Sequence, residues 1–401
     1  MNFRGSSTLT KQLSSIQNRC YAQRESLFKI AIGLMSFLAA TRLAYQFWRL
    51  LIDRNPNGAI DLRIVHELVY LWFKGEALKE IILLPATYAL LWPFTGWLSF
   101  ESSRWLWAVI YIASLAWLSY IVISETGIVK KREIIFAVLF IPAIYPTGIT
   151  IGNGQLILFL LPSILTAVLM ERGRDSGIVK NIFISALFLF SLLKIPVTAP
   201  FFLIPLITQR AFRPLVIAAC GYIILTYVAM SYRDAGIIET FKIWLKDSST
   251  LATTGGYANV HIWLGSLGFK QLILPCSFIL ISAFCIWLYA FQKIDIWIQL
   301  GVAAIVARLW TYHRLYDDLL ILVPMITIFR ISRSSQLSRN ESLAADLLLV
   351  ISWLGLLSPG FFLQLPFPIG TLFRTGQTVI WISLLAFLLY YSNKAGQAGP
   401  A

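Results

Sequence analysis

The chain has 401 residues, of which 58% are hydrophobic and only 13% charged. Soluble domains carry about 25% charged residues, and a chain this apolar would expose more oily surface than water tolerates, so soluble globular classes are excluded. The net charge of +14 does not indicate nucleic-acid binding, because the basic residues punctuate apolar runs instead of clustering with aromatics on one face.

Lys11, Arg19, Arg24 and Lys29 precede the first apolar run, and Lys130, Lys131 and Arg132 separate two others. Arg172 and Arg174, then Arg210 and Arg213, then Arg330, Arg333 and Arg339 repeat the pattern. Cytoplasmic loops of membrane proteins carry this kind of basic excess. Residues 1–26 are expected to be a cytoplasmic arm, since a polar stretch of that length is too long for a signal peptide. Cys20, Cys220, Cys276 and Cys285 are scattered, which suggests neither a disulfide framework nor a metal site. The three histidines, His66, His261 and His313, also lack zinc-ligand spacing, so neither a metal nor a cofactor is expected.

At 1.5 Å per residue against a hydrocarbon core of about 30 Å, the apolar stretches suggest roughly eleven to thirteen membrane helices. The first runs from Leu27 to Phe47, and a mixed segment from Arg49 to Glu80 follows. Further candidates are Ile82–Leu98, Trp105–Ile123, Ile134–Ile149, Leu156–Met170 and Ile178–Ile207. The last is interrupted at Lys194-Ile195-Pro196 and Pro200, so it is either one kinked helix or two short ones. Then come Leu215–Met230, a polar loop from Ser231 to His261, Leu272–Phe291, Ile296–Trp310, Leu319–Ile328, Leu343–Leu357 and Leu372–Tyr391. The expected fold is an all-α polytopic helical bundle over residues 27–391, with 392–401 a polar, disordered tail. Counting from a cytoplasmic N-terminus puts Lys130–Arg132 outside, against the positive-inside rule, so Ile82–Leu98 or Ile134–Ile149 should be re-entrant or interfacial.

Polar groups concentrate in a few places. Residues 48–80 form the first outer loop, with Asp53, Asp61, Arg63, His66 and Glu67. Leu62, Val65, Val69 and Trp72 recur at helical spacing there, which predicts an amphipathic helix lying in the membrane interface. Ile151-Gly152-Asn153-Gly154-Gln155 reads either as a helix-breaking turn or as a pair of amides lining a polar cavity. Lys194, inside an apolar stretch, either snorkels to an interface or faces a cavity or partner. The run Arg308 to Asp318 contains Tyr312, His313, Arg314, Tyr316 and Asp317, groups suited to phosphate and hydroxyl binding. Gly255, Gly256, Asn259 and His261 make a weaker cluster in the long polar loop.

The order of these clusters resembles the GT-C superfamily of membrane glycosyltransferases, and within it the family-87 mannosyltransferases that use polyprenyl-phosphate-mannose. The likeness covers about Leu27 to Phe329. It rests on Ile60-Asp61-Leu62-Arg63-Ile64-Val65-His66-Glu67, Trp72-Phe73-Lys74-Gly75-Glu76, and Gly154-Gln155 opening a helix that ends in Glu171-Arg172-Gly173-Arg174. Leu192-Leu193-Lys194-Ile195-Pro196, the basic turn Gln209–Arg213 and Tyr312-His313-Arg314-Leu315-Tyr316-Asp317 complete it. Where the family often has Tyr-Pro-Pro, this chain has Leu84-Pro85-Ala86-Thr87-Tyr88.

The resemblance implies transfer of mannose or another sugar, with inversion, from a polyprenyl-monophosphate donor to a hydroxyl of a lipid or glycan acceptor. It also implies a bacterial inner membrane and an active site on the extracytoplasmic side. Asp61 would be the general base, with Asp53 and Glu67 as rival carboxylates. Arg63, Lys194, His313 and Arg314 would hold the phosphate. His66, Glu67, Asn153, Gln155, Asn259, His261, Tyr312, Tyr316 and Asp317 would line the sugar or acceptor site. A lipid or sugar-lipid transporter using the same cavity without chemistry is the alternative, although no internal repeat is visible.

Overall fold

A computed structural model describes residues 6–55, 57–172, 177–254, 259–334 and 337–397. Arg174, Gly255 and Gly256 lie outside them. The helices are α1 (Ser6–Leu51), α2 (Ile60–Phe73), α3 (Pro85–Thr95), α4 (Phe100–Thr126), α5 (Lys131–Ala143) and α6 (Tyr145–Asn153). They continue with α7 (Ile157–Met170), α8 (Ile178–Ser191), α9 (Ile195–Ile204), α10 (Phe212–Met230), α11 (Ile237–Thr254) and α12 (Val260–Ser266). Last come α13 (Ile273–Ala290), α14 (Ile296–Leu309), α15 (Leu322–Ser332), α16 (Arg339–Leu357) and α17 (Ile369–Gln397). No strand occurs among the described residues, and the protein is an all-α, multi-pass membrane bundle.

By length and composition, seven described helices can cross a membrane, or eight if the bent pair α5–α6 is one span. This is fewer than the eleven to thirteen that apolar runs suggested, because several of those runs fold as short helices that other helices enclose. All of α14 is buried, and α7 nearly so. Each has 14 residues, about 21 Å, short of a bilayer core on its own. A helix apolar on every side belongs at the centre. Others turn apolar side chains outward, as α10 does with Val216, Ile223, Ile224 and Tyr227.

The stretch Ile178–Ile207 is two helices that double back. The rings of Phe188 and Phe202 lie 5.1 Å apart, although fourteen residues of straight helix would separate them by about 21 Å. The Thr198 hydroxyl donates to the Ser191 carbonyl at 2.8 Å, a second contact that only a reversal allows. Lys194 sits in the 3-10 turn Leu192–Lys194 at the tip of this hairpin. Length and composition alone would count residues 178–209 as one span; the ring packing decides otherwise.

The reversed parity of the basic loops has a structural cause. Arg104, near the start of α4, donates to the carbonyls of Leu50 and, at 2.8 Å, Asp53, at the end of α1. Thus α2 and α3 bring the chain back to the end at which α1 finishes, and α3, with 11 residues, does not cross. At the far end of α4, Glu125 accepts from Trp297 Nε1 at 2.7 Å and from Arg172 at 3.3 Å. Arg333 pairs with Glu133 at 2.8 Å nearby, so Lys130–Arg132, Arg172, Arg330 and Arg333 gather at one end of the bundle.

At the termini, α1 is helical from Ser6 and continuous with the first span. α17 runs to Gln397, and Lys394, assigned to a disordered tail, pairs with Glu341 of α16 at 2.6 Å. Unpaired, that lysine would favour a solvated tail; the carboxylate gives it a reason to stay helical.

Candidate active site

Four segments far apart in sequence converge at the end of the bundle away from the basic loops. The first is α2. Its buried face is Leu62, Val69 and Trp72, in the predicted spacing. Trp72 stacks on Tyr88 with centroids 4.2 Å apart, and its Nε1–H donates to the Ala229 carbonyl at 2.9 Å. The face is therefore covered by α3 and α10, and protein takes the place that lipid was expected to fill. Removing a buried ring of that size costs roughly 3–5 kcal/mol. That packing holds Asp61 in the first turn, where the helix dipole favours a carboxylate.

The second segment is the turn after α6. Gly154 caps this helix at φ +79°, donating to the carbonyls of Thr150 and Ile151 at 3.1 and 3.2 Å. A Cβ here would lie 2.4 Å from Cβ of Leu62, so the absent side chain is what lets α2 seat against the turn. Ala59 N–H donates to the Gly152 carbonyl at 3.0 Å. Trp107 Nε1 binds the Gly154 carbonyl at 3.2 Å, and the Tyr111 hydroxyl binds that of Gln155 at 2.7 Å. Arg49 donates to Asn153 Oδ1 at 3.1 Å. Residues 151–155 thus form a helix-ending turn held from three sides.

Asp61 faces these amides. Its Oδ2 is buried without a hydrogen-bond partner. Burial pushes its carboxyl above the ordinary aspartate range, while the nearby amides of Gln155 and Asn153 and the charges of Arg314 and Lys194 pull the other way.

The third and fourth segments are the hairpin tip and residues 310–318. Trp310 Nε1 donates to the Pro196 carbonyl at 2.8 Å, joining them. Lys194 Nζ lies 2.6 Å from Asp317 Oδ1 and 4.6 Å above the Tyr316 ring. This removes the snorkelling alternative: the lysine has a carboxylate partner inside the protein. Asp317 Oδ2 also accepts from His313 Nδ1 at 3.2 Å and from the Arg314 backbone N–H at 3.1 Å. Although burial opposes it, Lys194 and His313 hold the Asp317 carboxyl well below its usual range. Burial pushes His313 down to about 4, so it is neutral at physiological pH. Its Nε2 meets the Thr311 hydroxyl at 3.3 Å. Arg314 is exposed and donates through Nε to the Tyr312 hydroxyl.

The geometry sorts the expected residues. Asp61, Asn153, Gln155, Lys194 and Arg314 share one electrostatic environment, with Tyr312 and Tyr316 beside them. His313 and Asp317 stand one layer behind, and both oxygens of Asp317 accept from protein donors. His313 is likewise fully buried with both ring nitrogens engaged, so it does not present a donor to phosphate directly.

Arg63, His66 and Glu67 point elsewhere. Arg63 is two residues beyond Asp61, a rotation of about 200° around the helix, and lies over Phe100 at 5.1 Å. His66 Nε2 bonds to the Leu98 carbonyl at 2.9 Å, and Glu67 is exposed. Asp53 accepts the Asn55 N–H at 3.0 Å. Asn259 caps α12 through the Ile262 N–H at 3.0 Å. His261 bonds to the Ser277 hydroxyl at 2.9 Å, which in turn donates to the Trp310 carbonyl at 2.7 Å; it reaches the site's backbone only through that link.

Sequence reasoning missed Tyr145, Tyr111, Arg49 and the role of Asp318. Asp318 accepts from Arg308 at 2.7 Å and from the Tyr145 hydroxyl, tying residues 310–318 to the start of α6. A tyrosine ahead of Pro146 in an apolar run, and an arginine ten residues before a carboxylate, were the available signals; neither states its partner.

Comparison with curated proteins and with solved structures produced no match. The model for glycosyltransferase family 87 matches residues 85–332, which include Gln155, Lys194 and the 310–318 segment and begin after Asp61. With more than half of its length matched, the chain belongs to glycosyltransferase family 87 and is a membrane glycosyltransferase.

Proposed function

We propose that the enzyme moves a sugar, with inversion, from a polyprenyl monophosphate to an acceptor hydroxyl, on the extracytoplasmic side of a bacterial inner membrane. Asp61 acts as general base, taking the acceptor proton as the anomeric carbon is attacked. Lys194 and Arg314 stabilise the charge that grows on the departing lipid phosphate, and Asn153, Gln155, Tyr312 and Tyr316 bind hydroxyls of sugar or acceptor. The observation that carries this reading is Asp61 itself. A carboxylate oxygen buried without a partner stands in the field of two cations that come from other segments, an arrangement suited to a proton acceptor beside an anion. Burial also raises its proton affinity, which suits a base.

The test is Asp61→Asn in proteoliposomes, with transfer of radiolabelled sugar from a polyprenyl-phosphate donor as the readout. Loss of a positioned base is expected to slow transfer by about 10²–10⁴-fold, with donor binding within about threefold of wild type, roughly 0.7 kcal/mol. Asp53→Asn and Glu67→Gln should keep most activity. Turnover by Asp61→Asn above a tenth of the wild-type rate would assign the base to another residue.

A further inference from the structure

We propose that Asp317 is a positioning residue that fixes the Lys194 ammonium at the hairpin tip for an incoming lipid phosphate, with His313 and Thr311 holding Asp317 from behind; this rests on the lipid-phosphate reading of the donor. The chain of contacts is continuous. The Thr311 hydroxyl meets His313 Nε2 at 3.3 Å, His313 Nδ1 meets Asp317 Oδ2 at 3.2 Å, and Asp317 Oδ1 meets Lys194 Nζ at 2.6 Å.

A neutral imidazole has one donor and one acceptor. A carboxylate on the Nδ1 side makes that nitrogen the donor and leaves Nε2 to accept from Thr311. Burial keeps His313 uncharged, so it orients Asp317 without neutralising it. Asp317 in turn receives a second anchor, the Arg314 backbone N–H at 3.1 Å, which fixes the carboxylate in the same turn that carries Arg314.

Lys194 is held on two sides, by Asp317 and by the Tyr316 ring face 4.6 Å away. An ammonium has three N–H donors; Asp317 takes one, and those left over can meet an anion. A lysine side chain is otherwise floppy, and binding would have to freeze it. Holding it beforehand removes that cost. The paired charge also explains how an ammonium is tolerated between apolar helices before the donor arrives.

The experiment measures binding of a synthetic polyprenyl monophosphate, and of the uncharged polyprenol of equal length, to the full-length protein in nanodiscs. Wild type, Lys194→Ala, Asp317→Asn and the double variant are compared. Each single change should weaken phosphate binding about tenfold, the scale of one charged hydrogen bond. The double variant should bind within twofold of Lys194→Ala, and polyprenol affinity should not change. A purely structural Asp317 would instead weaken both probes and act equally in the Lys194→Ala background. A further tenfold loss in the double variant, or tighter phosphate binding by Asp317→Asn, overturns the proposal. If Asp317→Asn does not fold, Asp317→Glu serves: it keeps the charge but shifts it by a methylene, and wild-type phosphate affinity in that variant overturns the proposal equally. Failure of the wild type to prefer phosphate over alcohol would bring down the donor reading itself, an outcome separate from additivity.

Discussion

Asp61 answers two opposed demands. As a base it must be ionised, yet burial makes ionisation costly; Gln155, Asn153, Arg314 and Lys194 offset that cost. The direction of each influence gives a pH prediction. With the folded carboxyl raised, the active ionised form is lost as pH falls through a value above the usual 3.8 of aspartate. The acidic limb of kcat/KM should therefore lie above that range. Gln155→Leu or Arg314→Gln removes a group that lowers the Asp61 pKa, so the limb should move to higher pH in both. A limb that moves down, or stays put in both, would detach these residues from Asp61. Asp61 and Lys194 were legible as an acidic residue in an outer loop and a lysine in an apolar run. The company they keep was not, because a sequence lists donors and acceptors without saying which meet. The three protein donors that Asp317 meets were invisible for that reason.

At the scale of elements, the site depends on how closely α2 approaches the turn after α6. Gly154 allows it, and a comparison with Gly127 isolates the effect. Both glycines have positive φ, +79° and +62°, but a Cβ at Gly154 would meet Leu62 while one at Gly127 has nothing within 4 Å. Gly127→Ala should cost only the left-handed strain, about 1–2 kcal/mol, with turnover intact. Gly154→Ala should lower the thermal midpoint further and reduce kcat at least tenfold, since α2 must shift and carries Asp61 with it, and misplacement on this scale is costly. Equal turnover in the two variants would show that the α2 contact does not set the geometry of the base. The amphipathic face of α2 was legible from spacing; that α3 and α10 would cover it was not, because periodicity names a buried face without naming its cover. The α8–α9 hairpin was likewise half legible. Pro196 and Lys194 announced a break, whereas the direction the chain takes after a break is decided by packing, here Phe188 against Phe202.

For the whole molecule, the basic residues at one end and the Asp61 group at the other predict opposite exposure across the membrane. With the native cysteines replaced, Lys79→Cys should react with an impermeant maleimide in intact cells, because Lys79 is exposed in the loop that follows α2. Lys131→Cys, also exposed, should react only after permeabilisation. The reverse pattern would put the catalytic end in the cytoplasm.

Composition alone determined that the chain lives in a membrane, since apolar content is a sum that folding cannot change. Helical class followed from the long unbroken apolar runs, because the strands of a membrane barrel would alternate apolar and polar residues. The order of short polar motifs pointed to the family that the match over residues 85–332 established. Tertiary structure decided the rest. It set how many apolar runs cross, because a run of 14 residues may as well be enclosed as span. It sent Arg63, His66 and Glu67 away from Asp61, because rotation around one helix separates neighbours in sequence. It brought Lys194 to Asp317 across 123 residues, because an ammonium and a carboxylate inside an apolar bundle are stable only where each finds the other.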